Sequence, residues 1–121
     1  MIKRICVGAM IAFSASAGHA ADLIGDYAPV AAQCDTLAAS SLTVGQDIAF
    51  LRGEVVSRMD HAIAVAEDPR WIASTRPTFV WASETKVACG KAYGYLQSGW
   101  ADGDYLAKCD CFHAKMIRFM N

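Results

Sequence analysis

The residues of this chain that are best suited to chemistry lie near its end, in the segment KCDCFH at positions 108–113. Its two thiols and one imidazole, from Cys109, Cys111 and His113, could bind a metal ion, form a redox pair or anchor disulfides. The choice depends on the compartment, because disulfides persist outside the cytosol whereas cytosolic thiols stay reduced.

The start of the chain predicts export. A short basic segment is followed by an apolar run over residues 5–17 and by Gly18-His19-Ala20, which places small residues where a signal peptidase cuts. The run is too short for an ordinary membrane span, and no later stretch reaches the roughly eighteen uncharged apolar residues that a span needs. We therefore expect residues 1–20 to be a cleaved signal peptide, no transmembrane segment after its removal, and a periplasmic or secreted location.

Charge excludes several classes of partner. The chain has 11 Lys and Arg against 12 Asp and Glu, and two of the basic residues, Lys3 and Arg4, leave with the signal peptide. No basic cluster remains, which argues against binding to nucleic acid or to an anionic membrane surface. Residues 21–121 are long enough for a single core, so we expect one domain.

Four cysteines remain after Cys6 is removed: Cys34, Cys89, Cys109 and Cys111. An even number in a small exported chain favours a disulfide framework. A metal site formed by Cys109, Cys111 and His113 is the less favoured alternative, since structural zinc sites usually add a second pair of ligands at a different spacing. No thioredoxin-type or haem-attachment motif occurs, and we expect no cofactor.

Helical spacing of apolar residues predicts an all-α fold, a small disulfide-stapled bundle of three to four helices. Helices are expected at about 30–39, 46–66, 69–73, 78–98 and 104–119, after a loose N-terminal arm at 21–33. Thr43 and Gln46 resemble a capping box for the first long helix, Gly99 is expected to end the second, and Asp104 to cap the last.

This helical assignment constrains the disulfide pairing. Residues two apart on a helix point about 200° away from each other, so Cys109 and Cys111 should not bridge to each other. Matching of helix faces favours Cys89 with Cys109 and Cys34 with Cys111. Depth along the helical hairpin argues instead for Cys89 with Cys111, so that alternative stays open.

No catalytic constellation is visible, and we expect a protein that is not an enzyme. The chain lacks a nucleophile elbow, a zinc-protease motif, a phosphate loop and a dinucleotide fingerprint. His61 is expected on a solvated helix face and His113 beside the apolar stripe. Tyr95 and Trp100 fall off the main apolar stripe or in a loop, and they are the candidates for an exposed binding patch, although aromatic residues more often enlarge a small core.

These features favour a binding protein of the cell envelope, of inhibitor, immunity or accessory type, whose partner is another envelope or secreted protein. The segment from Cys89 through AYGYLQSG to Cys109 resembles the Cys…Gly-Tyr…Gly…Cys pattern of exported immunity proteins that neutralise type VI secretion toxins. A second hypothesis is a chaperone resembling the small helical acid-stress proteins of the periplasm, which also carry widely separated cysteines. A third is a metal-binding protein that uses Cys109, Cys111 and His113.

Overall fold

A computed structural model describes Cys34 and residues 40–121, and this part of the chain is all-α. Its four helices are α1 (Ile48–Glu67), α2 (Pro69–Ile72), α3 (Thr78–Gln97) and α4 (Gly103–Met120). The predicted fold class is therefore confirmed. The predicted signal peptide and N-terminal arm lie outside the described residues, as does the predicted helix at 30–39 except for Cys34.

The start of α1 differs from the prediction. Asp47 is the N-cap, and its carboxylate accepts a hydrogen bond from the backbone N–H of Phe50 at 3.0 Å. Thr43 and Gln46 form a turn before the helix, in which the Gln46 N–H donates to the Thr43 carbonyl oxygen and the Gln46 side chain accepts from the Thr43 N–H. The helix starts after the carboxylate because an aspartate caps and also complements the positive end of the helix dipole.

The cap of α4 also differs from the prediction, whereas the end of α3 agrees with it. Asp102, rather than Asp104, accepts from the Tyr105 N–H and caps α4. Gly99 has a φ of 76° and ends α3, with its own N–H donating to Leu96 and the following N–H donating to Tyr95. This pair of bonds is a Schellman motif, which satisfies the last carbonyls of a helix.

The core lies where α3 packs against both α1 and α4. One half of it surrounds the Cys89–Cys109 disulfide and includes Leu51, Val55, Leu96 and Leu106. The other half contains Ala62, Val65, Trp81, Phe112, Met116 and Cys34. Among the described helices, none is long and apolar enough to cross a membrane.

Two disulfides cross-link the chain, with the pairing that matching of helix faces favours. Cys89 of α3 pairs with Cys109 of α4, and Cys34 pairs with Cys111 on a different side of α4. Their Cα–Cα distances are 4.6 and 6.0 Å, within the usual range for bridged cysteines. The pairing corrects the alternative metal site: Cys109 and Cys111 have no thiolates to offer, so they cannot join His113 as ligands.

Candidate interaction surface

The two predicted interface residues, Tyr95 and Trp100, lie at the same end of the bundle and are exposed. Tyr95 is in the last turn of α3, and Trp100 follows the glycine that ends the helix. The side chain of Trp100 is 64% exposed and that of Tyr95 is 42% exposed. The Trp100 N–H donates to the Tyr95 carbonyl oxygen at 3.0 Å, which fixes the two backbones relative to each other.

A third aromatic residue, Tyr105, extends this surface onto α4. Its ring stacks on that of Tyr95 with the centroids 5.8 Å apart and the planes at 23°. The sequence analysis did not connect Tyr105 with Tyr95. Tyr105 is only half-buried, because a tyrosine at the edge of a core buries part of its ring and keeps its hydroxyl group in water.

Two lysines flank the Tyr105 ring. The ammonium groups of Lys91 and Lys108 lie 5.2 and 5.4 Å from its centroid, within the range of cation–π attraction. Lys108 also pairs with Asp104 at 3.0 Å, whereas Lys91 has no ion pair within the part of the chain that the structure describes. Lys91 is therefore available to a carboxylate from a partner.

The stacked rings and the lysines line a shallow groove between α3 and α4. One part, of about 420 Å³, is lined by Lys91, Gly94, Tyr95, Ser98 and Tyr105. A second part, of about 220 Å³, shares Lys91 and Tyr105 and continues past Val87 and Lys108 towards Phe112. We call these two parts together the aromatic groove, and we include Trp100 in it because the Trp100 backbone is hydrogen-bonded to that of Tyr95.

The Cys89–Cys109 disulfide makes the aromatic groove rigid. It covalently joins the two helices that form the groove, and both cysteines are fully buried beneath it. A surface that is already ordered before it binds loses less conformational entropy on association than a flexible one.

On another side of the bundle, Asp110 of α4 connects three parts of the chain. It accepts hydrogen bonds from the backbone N–H of Ser41 at 2.8 Å, from the Ser41 and Ser40 hydroxyl groups, and from Arg58 of α1 at 3.1 Å. Partial burial raises the pKa of the Asp110 carboxyl group, but the bonds from Ser41 and Arg58 outweigh it and hold that pKa below its ordinary value. Arg58 also pairs with Glu54 at 2.7 Å. The sequence analysis did not identify Asp110.

Beside this network, the two described histidines meet. Nδ1 of His61 lies 3.0 Å from Nε2 of His113, and the rings are nearly perpendicular, at 71°. Burial is the main reason that the pKa of His113 falls to about 4, and the positive charges of His61 and Arg58 lower it further. The sequence analysis singled out both histidines, but it did not place them together.

The histidine pair follows from the direction of the helices. Both Arg58–Asp110 and His61–His113 are separated by 52 residues, so α1 and α4 run in parallel where these pairs form. One step of three residues along each helix leads from the first pair to the second. Once Arg58 and Asp110 are known to meet, the sequence alone would locate the histidine pair.

Comparisons of the chain with family models, with curated proteins and with solved structures found no match. Function must therefore be inferred from the side chains themselves. Among the described residues, no group of three or more His, Cys, Asp or Glu side chains is arranged to hold a metal ion. The aromatic groove combines exposed apolar area, an available cation and a rigid base, which are the properties of a surface that binds a protein.

Proposed function

We propose that this chain is an exported, non-enzymatic protein that binds another envelope or secreted protein in the aromatic groove. The observation that carries the proposal is the partly exposed Tyr95–Tyr105 stack beside Lys91 and Lys108. Tyrosine and tryptophan supply a large contact area with few rotatable bonds, which is why they are enriched among the residues that dominate binding energy.

Export is supported by the two disulfides and by the sequence at the start of the chain. Two disulfides in a domain of this size are typical of an oxidising compartment. The basic, apolar and small-residue segments at the start of the chain have the order of a secretory signal. Both features suit a periplasmic or secreted protein.

The groove also suggests the chemistry of the partner. The faces of Tyr95 and Tyr105 suit an apolar or aromatic side chain, and Lys91 lies where it can meet a carboxylate next to that side chain. We infer that the partner presents an apolar residue flanked by Asp or Glu.

Affinity capture followed by titration tests the proposal. The chain from residue 21 onward is used to capture proteins from envelope extract, and the captured protein is then produced separately and titrated calorimetrically. Tyr95→Ala and Trp100→Ala should each weaken binding about tenfold or more, the usual effect of truncating an aromatic residue that dominates an interface. Ile72→Ala is the matched control, because Ile72 is 57% exposed but lies on α2, away from the groove. If the native protein and all three variants bind the partner with equal affinity, the groove is ruled out as the binding surface.

The inferred chemistry of the partner has its own test. Lys91→Glu and Lys86→Glu change the net charge equally, and both lysines are exposed on α3, but only Lys91 lines the groove. Lys91→Glu should weaken binding and reduce its dependence on salt, while Lys86→Glu should leave both almost unchanged. The same loss in both variants would mean that general charge, rather than a specific carboxylate contact, drives association.

A further inference from the structure

The pair formed by His61 and His113 is held by a hydrogen bond between the rings, and its two nitrogens are close enough together to bind one metal ion in place of the shared proton. Nitrogens 3.0 Å apart that each bind a metal at about 2.0–2.1 Å would subtend an angle of about 95° at the metal. That angle is closer to the right angle between neighbouring ligands in tetragonal copper or nickel sites than to the tetrahedral angle of structural zinc.

We propose that His61 and His113 form a binding site for a divalent transition-metal ion, with Cu²⁺ as the preferred occupant. Imidazole nitrogen is a favourable ligand for copper, and Cu²⁺ binds most tightly among the divalent first-row ions at a site of this kind. His61 is exposed and His113 is half-buried, so an ion can reach the pair from solvent and water can complete its coordination.

Ion pairs surround the histidine pair. One turn away, Arg58 is paired with both Glu54 and Asp110, so its positive charge is offset by two carboxylates. The Arg58–Asp110 pair also joins α1 to α4 one turn from the two rings.

The proposed site replaces the metal site considered from the sequence. The common member is His113, but its partner is a histidine on a different helix rather than the neighbouring cysteines, which are in disulfides. The site lies between α1 and α4 and is therefore separate from the aromatic groove between α3 and α4.

The chain offers a clean background for a binding experiment. It contains three histidines, and the protein that begins at Ala21 retains only His61 and His113. After removal of any affinity tag, CuCl₂ is titrated calorimetrically into the native protein, into His61→Ala, into His113→Ala and into the double variant. The double variant measures binding by the chain terminus and by surface carboxylates.

The native protein should bind one Cu²⁺ ion above this background, and its electron paramagnetic resonance spectrum should show coupling to two imidazole nitrogens. Each single variant should bind about tenfold more weakly or worse, because the second ligand supplied at high effective concentration is lost. Unfolding temperatures in EDTA establish that each variant is folded, and His61→Gln replaces His61→Ala if the latter is not. Trp100→Ala should retain full Cu²⁺ affinity.

Two results would overturn the proposal. Binding by the native protein no tighter than by the double variant would mean that the pair is a hydrogen bond and nothing more. Single variants with unchanged affinity would show that the ion binds elsewhere. Titration with ZnSO₄ tests the choice of metal, and tighter binding of Zn²⁺ than of Cu²⁺ would contradict the preference inferred from the angle.

Discussion

Asp110 is the residue through which the segment before α1 is held against the helices. Its two carboxylate oxygens accept hydrogen bonds from Ser40, Ser41 and Arg58, which are 70, 69 and 52 residues away in the chain. Hydrogen bonds to a charged group are stronger than those between neutral groups, and this carboxylate is only partly exposed. Asp110 therefore stabilises the native arrangement more than an ordinary surface ion pair would.

The stabilisation by Asp110 should depend on pH. Because its pKa is lower in the folded protein, the stabilisation is complete above the ordinary value near 3.8 and is lost as the pH falls through the folded pKa. Asp110→Asn should lower the free energy of unfolding at pH 7 by about 1 kcal/mol or more. Urea unfolding at several values between pH 3 and pH 7 measures this difference, which should shrink towards the acid end.

Asp104→Asn is the matched control for Asp110→Asn. Asp104 is also on α4 and pairs with Lys108, but its side chain is 61% exposed. Its removal should change the free energy of unfolding by no more than about 0.5 kcal/mol. A difference between native protein and Asp110→Asn that stays constant across the pH range would contradict the assigned role of the Asp110 charge.

At the residue scale, the sequence predicted what depends on one helix and missed what depends on two. That Cys109 and Cys111 do not bridge to each other follows from α4 alone, because they point to different sides of that helix. The choice of Cys89 as the partner of Cys109 also used the face of α3, and it left the other pairing open. The Arg58–Asp110 and His61–His113 contacts also require the rotation of α1 against α4, which is set by packing in the core. No local pattern contains that rotation.

At the scale of the helices, the end of α3 depends on the backbone conformation of Gly99. Its φ of 76° lies in the left-handed region, where a residue with a Cβ atom is strained. Gly99→Ala should therefore lower the free energy of unfolding by about 1 kcal/mol. Because Trp100 follows directly, the substitution should also weaken binding at the aromatic groove.

Gly94→Ala should have the opposite effect on stability. Gly94 lies inside α3, and no atom stands within 4 Å of the position that a Cβ would take. Alanine should raise the free energy of unfolding by up to about 1 kcal/mol, the difference in helix propensity. Urea unfolding of both glycine variants checks the two signs. Stabilisation by Gly99→Ala would contradict the Schellman assignment.

The helix boundaries show what local sequence can predict. The three long helices and the proline-led turn were predicted to within a few residues, since the apolar spacing and the prolines are local. The caps of α1 and α4 were wrong because each start offers two competing acceptors: Thr43 and Asp47 for α1, and Asp102 and Asp104 for α4. The path of the preceding chain decides between them, and that path is a tertiary property.

For the molecule as a whole, the two disulfides have different roles. Cys89–Cys109 lies in the core between the helices that form the aromatic groove. Cys34–Cys111 spans 77 residues and ties the chain before α1 to α4. In the loop-entropy description, the longer closure destabilises the unfolded state more, by roughly 1 kcal/mol. One bridge therefore shapes the proposed binding surface, while the other mainly restricts the unfolded chain.

The two bridges should also be reduced in a fixed order. Cys89 and Cys109 are fully buried, whereas Cys111 is partly exposed, and a reductant must reach a sulfur to attack it. Under native conditions in dilute dithiothreitol, alkylation followed by mass spectrometry should label Cys34 and Cys111 first. Protein stopped at this stage should still bind the partner, because the bridge beneath the aromatic groove is intact, and it should lose binding when Cys89 and Cys109 become labelled. Early labelling of Cys89 and Cys109 would contradict the buried position of this bridge. Loss of binding when only Cys34 and Cys111 are labelled would show that binding requires the Cys34–Cys111 bridge.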